Sequence, residues 1–170
     1  MVYYITNESC IIFDPEYNKP LDPELLANYK KIIFSNYKLN DKLFAAYENN
    51  KFEGLKFIGS KFNRPLFDSF NNCTALTYIK FGLEFNKPLA NALDDCTSLT
   101  ILVFGRKFNQ PLANSLANCS SLTHITFGDN FNQSLANSLN NCTSLTHIKF
   151  GWSFNEPLYN ALDNCASITN

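Results

Sequence analysis

At 170 residues the chain is long enough for one domain with a sizeable core. Its 14 Lys and Arg stand against 15 Asp and Glu, a net charge of −1 spread evenly along the chain, so no electrostatic footprint for nucleic acid or an anionic membrane is expected. No run of about 18 apolar residues exists, which excludes an apolar membrane-spanning helix.

Met1 to Glu8 holds no basic residue and no apolar core, so a secretory signal is not expected and the chain should stay in the cytoplasm. Asn-x-Ser/Thr triplets at Asn72, Asn118, Asn132 and Asn141 agree weakly, since glycans there would fall inside the repeat described next. Ile11-Ile12-Phe13 is a short apolar stretch, followed by Tyr17-Asn18-Lys19-Pro20-Leu21. That box returns weakly as Leu39-Asn40-Asp41-Lys42-Leu43. Phe52-x-x-Leu55-x-Phe57 with Gly59 then repeats, one residue out of step, the later Leu76-x-x-Ile79-x-Phe81 with Gly82.

From residue 62 the repetition is strict. Phe62, Phe85, Phe108, Phe131 and Phe154 are 23 residues apart, as are Cys73, Cys96, Cys119, Cys142 and Cys165, and Gly82, Gly105, Gly128 and Gly151. One unit, residues 108 to 130, reads FNQPLANSLANCSSLTHITFGDN. Alternation in Ile79-Lys80-Phe81, Leu102-Val103-Phe104, Ile125-Thr126-Phe127 and Ile148-Lys149-Phe150 has the period of a strand. Stacked coils then set these strands side by side, in parallel. The Gly after each strand permits a turn, and the Pro of the FNxP segment forbids a full hydrogen-bond ladder there. PLANSLANC and its equivalents predict a short helical or 3₁₀ turn opposite the sheet.

Each coil is expected to run strand, turn, extended segment, helical turn. About seven coils are expected, the first two irregular and the last incomplete, forming a single repeat domain over 1–170. Residues 1–61, Tyr-rich and irregular, would cap one end, and 62–170 would hold the regular repeats. Neighbouring coils must stack, because no single coil can bury its own Leu, Ile and Phe. The expected buried ladders are Leu76/Leu99/Leu122/Leu145, the strand Ile/Leu and Phe pairs, the FNxPL Phe and Leu, and Phe70/Leu93/Leu116/Leu139/Leu162.

Residue types that carry chemistry fall into the same registers. Five cysteines in one ladder, with Cys10 outside it, suit neither disulfide geometry nor a tetrahedral metal site, so reduced buried thiols are expected. Asn recurs at three offsets, Asn63/Asn86/Asn109/Asn132/Asn155, Asn91/Asn114/Asn137/Asn160 and Asn72/Asn118/Asn141/Asn164, with Asp at 68 and 95. Such amides would bond unpaired backbone groups at turns and each other along the stack. His124 and His147 sit one coil apart on the outward face, where no third ligand is in phase, so no metal and no cofactor are expected. No Ser or Cys has a His and an acid in a catalytic relation, and no Gly-rich phosphate loop occurs, so an enzyme is not expected and no catalytic residue is assigned.

Positions that vary between coils are free to specify a partner. On the outward strand face these are Tyr78, Lys80, Ile101, Val103, His124, Thr126, His147 and Lys149, the candidate binding residues. Ile101 and Val103 are apolar among polar neighbours, which marks either a contact spot or β-branched residues that strengthen the sheet. Phe154, Leu158, Leu162 and Ile168 present a core face at the C-terminal end. Two copies packing tail to tail there would give a homodimer; the alternative is a frayed last coil and a monomer.

The half-unit Cys142-Thr-Ser-Leu145-Thr-His-Ile148-Lys-Phe150-Gly151 resembles BspA-like leucine-rich repeats, which also run at 23 residues. The Phe-Asn-x-Pro-Leu half resembles the FNIP repeats found in amoebae and in giant DNA viruses of amoebae. The resemblance is regular over 62–170 and loose over 11–61. It implies a right-handed leucine-rich-repeat solenoid, α/β or mainly β, with a parallel sheet on one face. It also implies a giant-virus origin, in host cytoplasm or virion, and a non-catalytic role as a surface for an unknown protein partner. A surface adhesion role, known among BspA-like relatives, is the alternative, and a cryptic metal binder or enzyme a more distant one. No F-box accompanies the repeats, so the resemblance implies no part in ubiquitin ligation.

Overall fold

The computed structural model describes residues 3–7, 10–13, 24, 28–35, 53–58, 65–66 and 70–168. The boxes at Tyr17–Leu21 and Leu39–Leu43, and Phe52, Gly59, Phe62, Asn63 and Asp68, lie outside the described residues. Among the described residues one sheet holds eight strands in chain order. They are β1 Tyr3–Asn7, β2 Cys10–Phe13, β3 Lys31–Ser35, β4 Gly54–Ile58, β5 Tyr78–Lys80, β6 Ile101–Val103, β7 His124–Thr126 and β8 His147–Lys149. β1 pairs antiparallel with β2; every later pairing is parallel.

The register explains the regular and irregular parts together. Tyr78, Ile101, His124 and His147 pair in one row at steps of 23 residues. Gly54 pairs with Tyr78 and Lys31 with Gly54, steps of 24 and 23, while Cys10 pairs with Lys31 at a step of 21. Insertions and deletions in the early coils are thus absorbed outside the strands, and strand alignment survives them.

Each strand hangs on its predecessor. Thr100 N–H donates to Thr77 O at 2.8 Å and Thr123 N–H to Thr100 O at 2.9 Å, and the Thr hydroxyls donate to the same carbonyls at 2.8 and 2.9 Å. Inward side chains then stack on their own copies. Phe81, Phe104, Phe127 and Phe150 form one column, with ring centroids 5.3 to 5.4 Å apart. Phe85, Phe108, Phe131 and Phe154 form a second, at 5.9 Å. The two columns touch inside each coil, with Phe104 and Phe108 4.0 Å apart. Offset parallel rings of this kind add attraction beyond the area they bury. Leu76, Leu99, Leu122 and Leu145 are fully buried, as are Phe70, Leu93, Leu116 and Leu139.

The glycine after the strand answers to stacking. A Cβ at Gly105 would fall inside the carbonyl of Gly82, and one at Gly128 inside that of Gly105. The backbones approach so closely that only glycine fits.

Opposite the sheet the expectation of helical turns is corrected. Between residues 70 and 168 this stretch is a chain of separate turns, with no helical segment. Asn91, Asn114, Asn137 and Asn160 have φ of 51 to 59°, and Asn72, Asp95, Asn118, Asn141 and Asn164 have φ of 58 to 63°. Two left-handed residues, four apart in each coil, stop any right-handed turn from continuing. Isolated i to i+3 bonds remain, such as Ala92 N–H to Leu89 O at 2.7 Å and Leu99 N–H to Cys96 O at 3.0 Å.

Polar side-chain ladders add to the backbone bonds between coils, such as Asn118 N–H to Asn140 O at 2.9 Å. Asn109 N–H donates to the Asn86 side-chain oxygen and Asn132 N–H to that of Asn109, both at 2.9 Å. A second column runs from Asp95 through Asn118, Asn141 and Asn164, with amide donors at 3.0, 2.8 and 2.7 Å. The thiols of Cys96, Cys119, Cys142 and Cys165 each donate to the carbonyl 26 residues earlier, at 3.0 to 3.3 Å. These cysteines are free, and burial pushes their thiols up, Cys142 to about 12.

Candidate functional site

Alternation along the strands divides each into an inward residue and two outward ones. Ile79, Leu102 and Ile125 point into the core, so Tyr78, Ile101, His124 and His147 form one outward row and Lys80, Val103, Thr126 and Lys149 another. Lys80, Ile101, His124, His147 and Lys149 are exposed; Tyr78, Val103 and Thr126 are half-buried. The eight candidate binding residues therefore share one continuous surface. Burial raises the Tyr78 phenol above its ordinary range, which keeps it a neutral hydrogen-bond donor and acceptor.

Within this row His124 and His147 stack face to face, with ring centroids 4.5 Å apart and planes 4° from parallel. Each Nδ1 lies 2.9 Å from the hydroxyl of the preceding residue, Thr123 or Thr146. Those hydroxyls already donate their hydrogen to carbonyls of the coil before, Thr123 to Thr100 O and Thr146 to Thr123 O. They must therefore accept from Nδ1–H, so the neutral ring carries its proton on Nδ1 and turns Nε2 outward. Among the described residues no group of three or more His, Cys, Asp and Glu is placed to hold a metal ion.

The C-terminal set meets part of the face. A cleft of about 530 Å³ is lined by His124, His147 and Lys149 together with Ile148, Phe150, Leu158, Leu162 and Ile168. Phe154 lies outside this cleft, stacked on Phe131 and Phe150. Leu158 is 38% exposed, although its copies Leu89, Leu112 and Leu135 are fully buried. Tyr78, Lys80, Ile101 and Val103 do not reach the cleft, so the two candidate sets are joined only through the last two strands.

Three exposed apolar residues escaped the sequence reading. Leu83 and Trp152 are 62% and 94% exposed, in one register with Arg106 and Asp129, whose side chains pair at 3.7 Å. Tyr159 is 79% exposed where the earlier coils carry Ala90, Ala113 and Ala136. The available signal was variation at a fixed offset from the glycine and proline ladders.

No curated protein matches the chain. The crystal structure of CroV588, described as a novel circular LRR protein structure, is similar at 25% identity with a TM-score of 0.43. The alignment covers 99% of this chain and 34% of that one, so the chain spans about a third of the length of its solved relative. Residues 48–169 match the BspA type leucine rich repeat region in six copies, reaching into the out-of-step coil before residue 62. With well over half of its length matched, the chain belongs to the BspA-type leucine-rich-repeat family.

Proposed function

We propose that the chain is a non-catalytic interaction or structural module that docks a protein partner on the outward face of its sheet. The observation that carries this reading is the contrast within a single strand. Ile79, Leu102, Ile125 and their neighbours keep one character in every coil, whereas the outward row changes from Tyr78 to Ile101 to His124. Ile101 stands 38% exposed between them. Exposed apolar residues ringed by polar ones are the usual anchor of a protein contact.

The same proposal includes a cytoplasmic or virion setting and kinship with FNIP repeats through the Phe-Asn-x-Pro-Leu box. A second copy is the occupant proposed for the C-terminal edge, where Phe154, Leu158, Leu162 and Ile168 stay partly exposed. Sedimentation at micromolar concentration reads that association, and Leu158→Asp with Leu162→Asp should abolish it in chains that circular dichroism shows to be folded.

The docking reading is tested by affinity capture from the native host cell with three baits. These are the unaltered chain, an Ile101→Ser/Val103→Ser variant, and a control variant Ala136→Ser on the side away from the sheet. A partner retained by the first and third and lost by the second is expected. An identical set of proteins on all three would contradict it.

A further inference from the structure

The outward face carries a charge distribution that the whole chain hides. From β2 to β8 its two rows are Cys10, Lys31, Gly54, Tyr78, Ile101, His124, His147 and Ile12, Ile33, Lys56, Lys80, Val103, Thr126, Lys149. Four lysines and two histidines stand there, and no Asp or Glu, in a chain whose net charge is −1. Carboxylates such as Glu84, Asp94, Asp95 and Asp129 belong to the turns instead. None of the four lysines forms an ion pair with a described residue.

Gly54 adds shape to this charge. At Gly105, Gly128 and Gly151 a Cβ would collide with backbone of the coil before, so glycine is forced. At Gly54 a Cβ would meet nothing nearer than Lys31 Cγ at 3.6 Å, an ordinary contact. Packing against the described residues therefore does not demand a glycine there, although a glycine costs strand stability. Its missing side chain opens part of a hollow of about 440 Å³ lined by Gly54 with Lys31, Ile33, Lys56, Thr77 and Tyr78. Glu53 is the carboxylate at its rim, and Lys30 neutralises it at 2.8 Å.

We infer that the sheet face binds an extended acidic segment of a protein partner, one carboxylate of which enters the hollow over Gly54 between Lys31, Lys56 and Tyr78. The inference rests on the docking reading above and names the partner's chemistry. Lys31 and Lys56 supply the opposite charge and the Tyr78 hydroxyl a donor. Farther along, the apolar Ile101 and Val103 take an uncharged side chain, and Lys149 meets a second acid. From β4 to β8 the face spans four strand spacings, about 19 Å, which about six extended residues cover. A nucleic acid fits less well, because no lysine stands between Lys80 on β5 and Lys149 on β8 to answer a continuous row of phosphates.

Fluorescence anisotropy with labelled decapeptides tests this. The acidic probe has Glu at both ends and two Leu at its centre; its counterparts carry Gln or Lys in place of Glu. The acidic peptide should bind about tenfold tighter than the Lys peptide, and the difference should shrink as salt is raised. Gly54→Leu, which puts a side chain into the hollow beside Lys31 and Tyr78, and Lys56→Glu/Lys80→Glu should each weaken it by about tenfold, while Arg106→Glu at a turn should not. Circular dichroism confirms that each variant is folded. Equal binding of all three peptides that is still lost in Ile101→Lys would overturn the acidic partner and keep the docking face. Acidic-peptide binding unmoved by Gly54→Leu, Lys56→Glu/Lys80→Glu and Ile101→Lys would overturn both, as would absence of binding by every peptide. A labelled oligothymidylate that binds more tightly than the acidic peptide would replace the peptide with nucleic acid.

Discussion

Inside the solenoid the Phe, Leu and Cys columns set a residue against its own copy one coil away. On the outward face of the same strands the neighbour changes from Tyr78 to Ile101 to His124, while the His124–His147 and Lys56–Lys80 pairs repeat. Phe104 lies between Phe81 and Phe127, and Asn118 between Asp95 and Asn141. Ile101 lies between Tyr78 and His124. The difference shows how one 23-residue plan serves two ends. Interior positions are coupled to two copies each, so a substitution is felt by three coils. Apart from the His124–His147 stack, face positions from Tyr78 to Ile101 to His124 do not pack on copies of themselves, so they can diverge without unmaking the stack.

The largest effect should come from the Phe columns. Phe104→Ala should lower stability by about 3–5 kcal/mol in urea unfolding, since the ring is buried and stacks on Phe81, Phe108 and Phe127. Phe150, half-buried in the last strand's coil, stacks on Phe127 and Phe154, and its loss should cost less. Equal losses would mean that the coils unfold as one block with no frayed end.

Smaller is the expected cost at the Asn ladder, and two variants sharpen its origin. Asn118→Ala removes two amide bonds and puts a Cβ residue without a local partner at φ 61°, for a loss of about 2 kcal/mol. Asn118→Gly loses the same bonds but tolerates the left-handed backbone, and should recover about 1 kcal/mol of that loss. If the Gly variant were the worse of the two, backbone strain would have no part in the ladder.

Smallest per group is the response of the ladder thiols Cys96, Cys119 and Cys142 to alkali. Folding raises their pKa above the unfolded value near 9.0, to about 12 at Cys142, because burial opposes the thiolate. The stability this contributes is complete below the unfolded pKa and is lost as pH rises toward the folded one. Cys96, Cys119 and Cys142 should therefore each cost about 1.4 kcal/mol per pH unit above about pH 9. Urea unfolding at stepped alkaline pH should show a shallower fall in Cys142→Ala than in the unaltered chain. An unchanged slope would place the ladder thiols in water.

Much of this division is legible in the residues. Five Phe and five Cys at 23-residue steps announce stacked coils, and alternation around Ile79, Leu102, Ile125 and Ile148 marks which strand residues face outward. β3 was not legible, because Ile32-Ile33-Phe34 has no glycine in phase behind it and its step to β2 is 21. The helical turns were misread because Ala, Leu and Ser favour helix, while the two Asn in each unit were weighed as hydrogen-bonding groups only. Asn is also the non-glycine residue that most readily accepts a left-handed backbone, and that property decides the turn. The hollow at Gly54 was hidden for a physical reason: a glycine required by packing and one that leaves space read alike until a Cβ is placed on each.

That same pair of glycines tests the division between stack and face most directly. Urea unfolding of Gly128→Ala and Gly54→Ala compares a site where a Cβ enters the backbone of the coil before with one where, among the described residues, it meets Lys31 Cγ at an ordinary 3.6 Å. The account predicts a loss of about 3 kcal/mol or more for Gly128→Ala and a change within about 0.5 kcal/mol for Gly54→Ala. Comparable losses at the two sites would contradict it, by making Gly54 part of the scaffold and not of the surface left open for a partner.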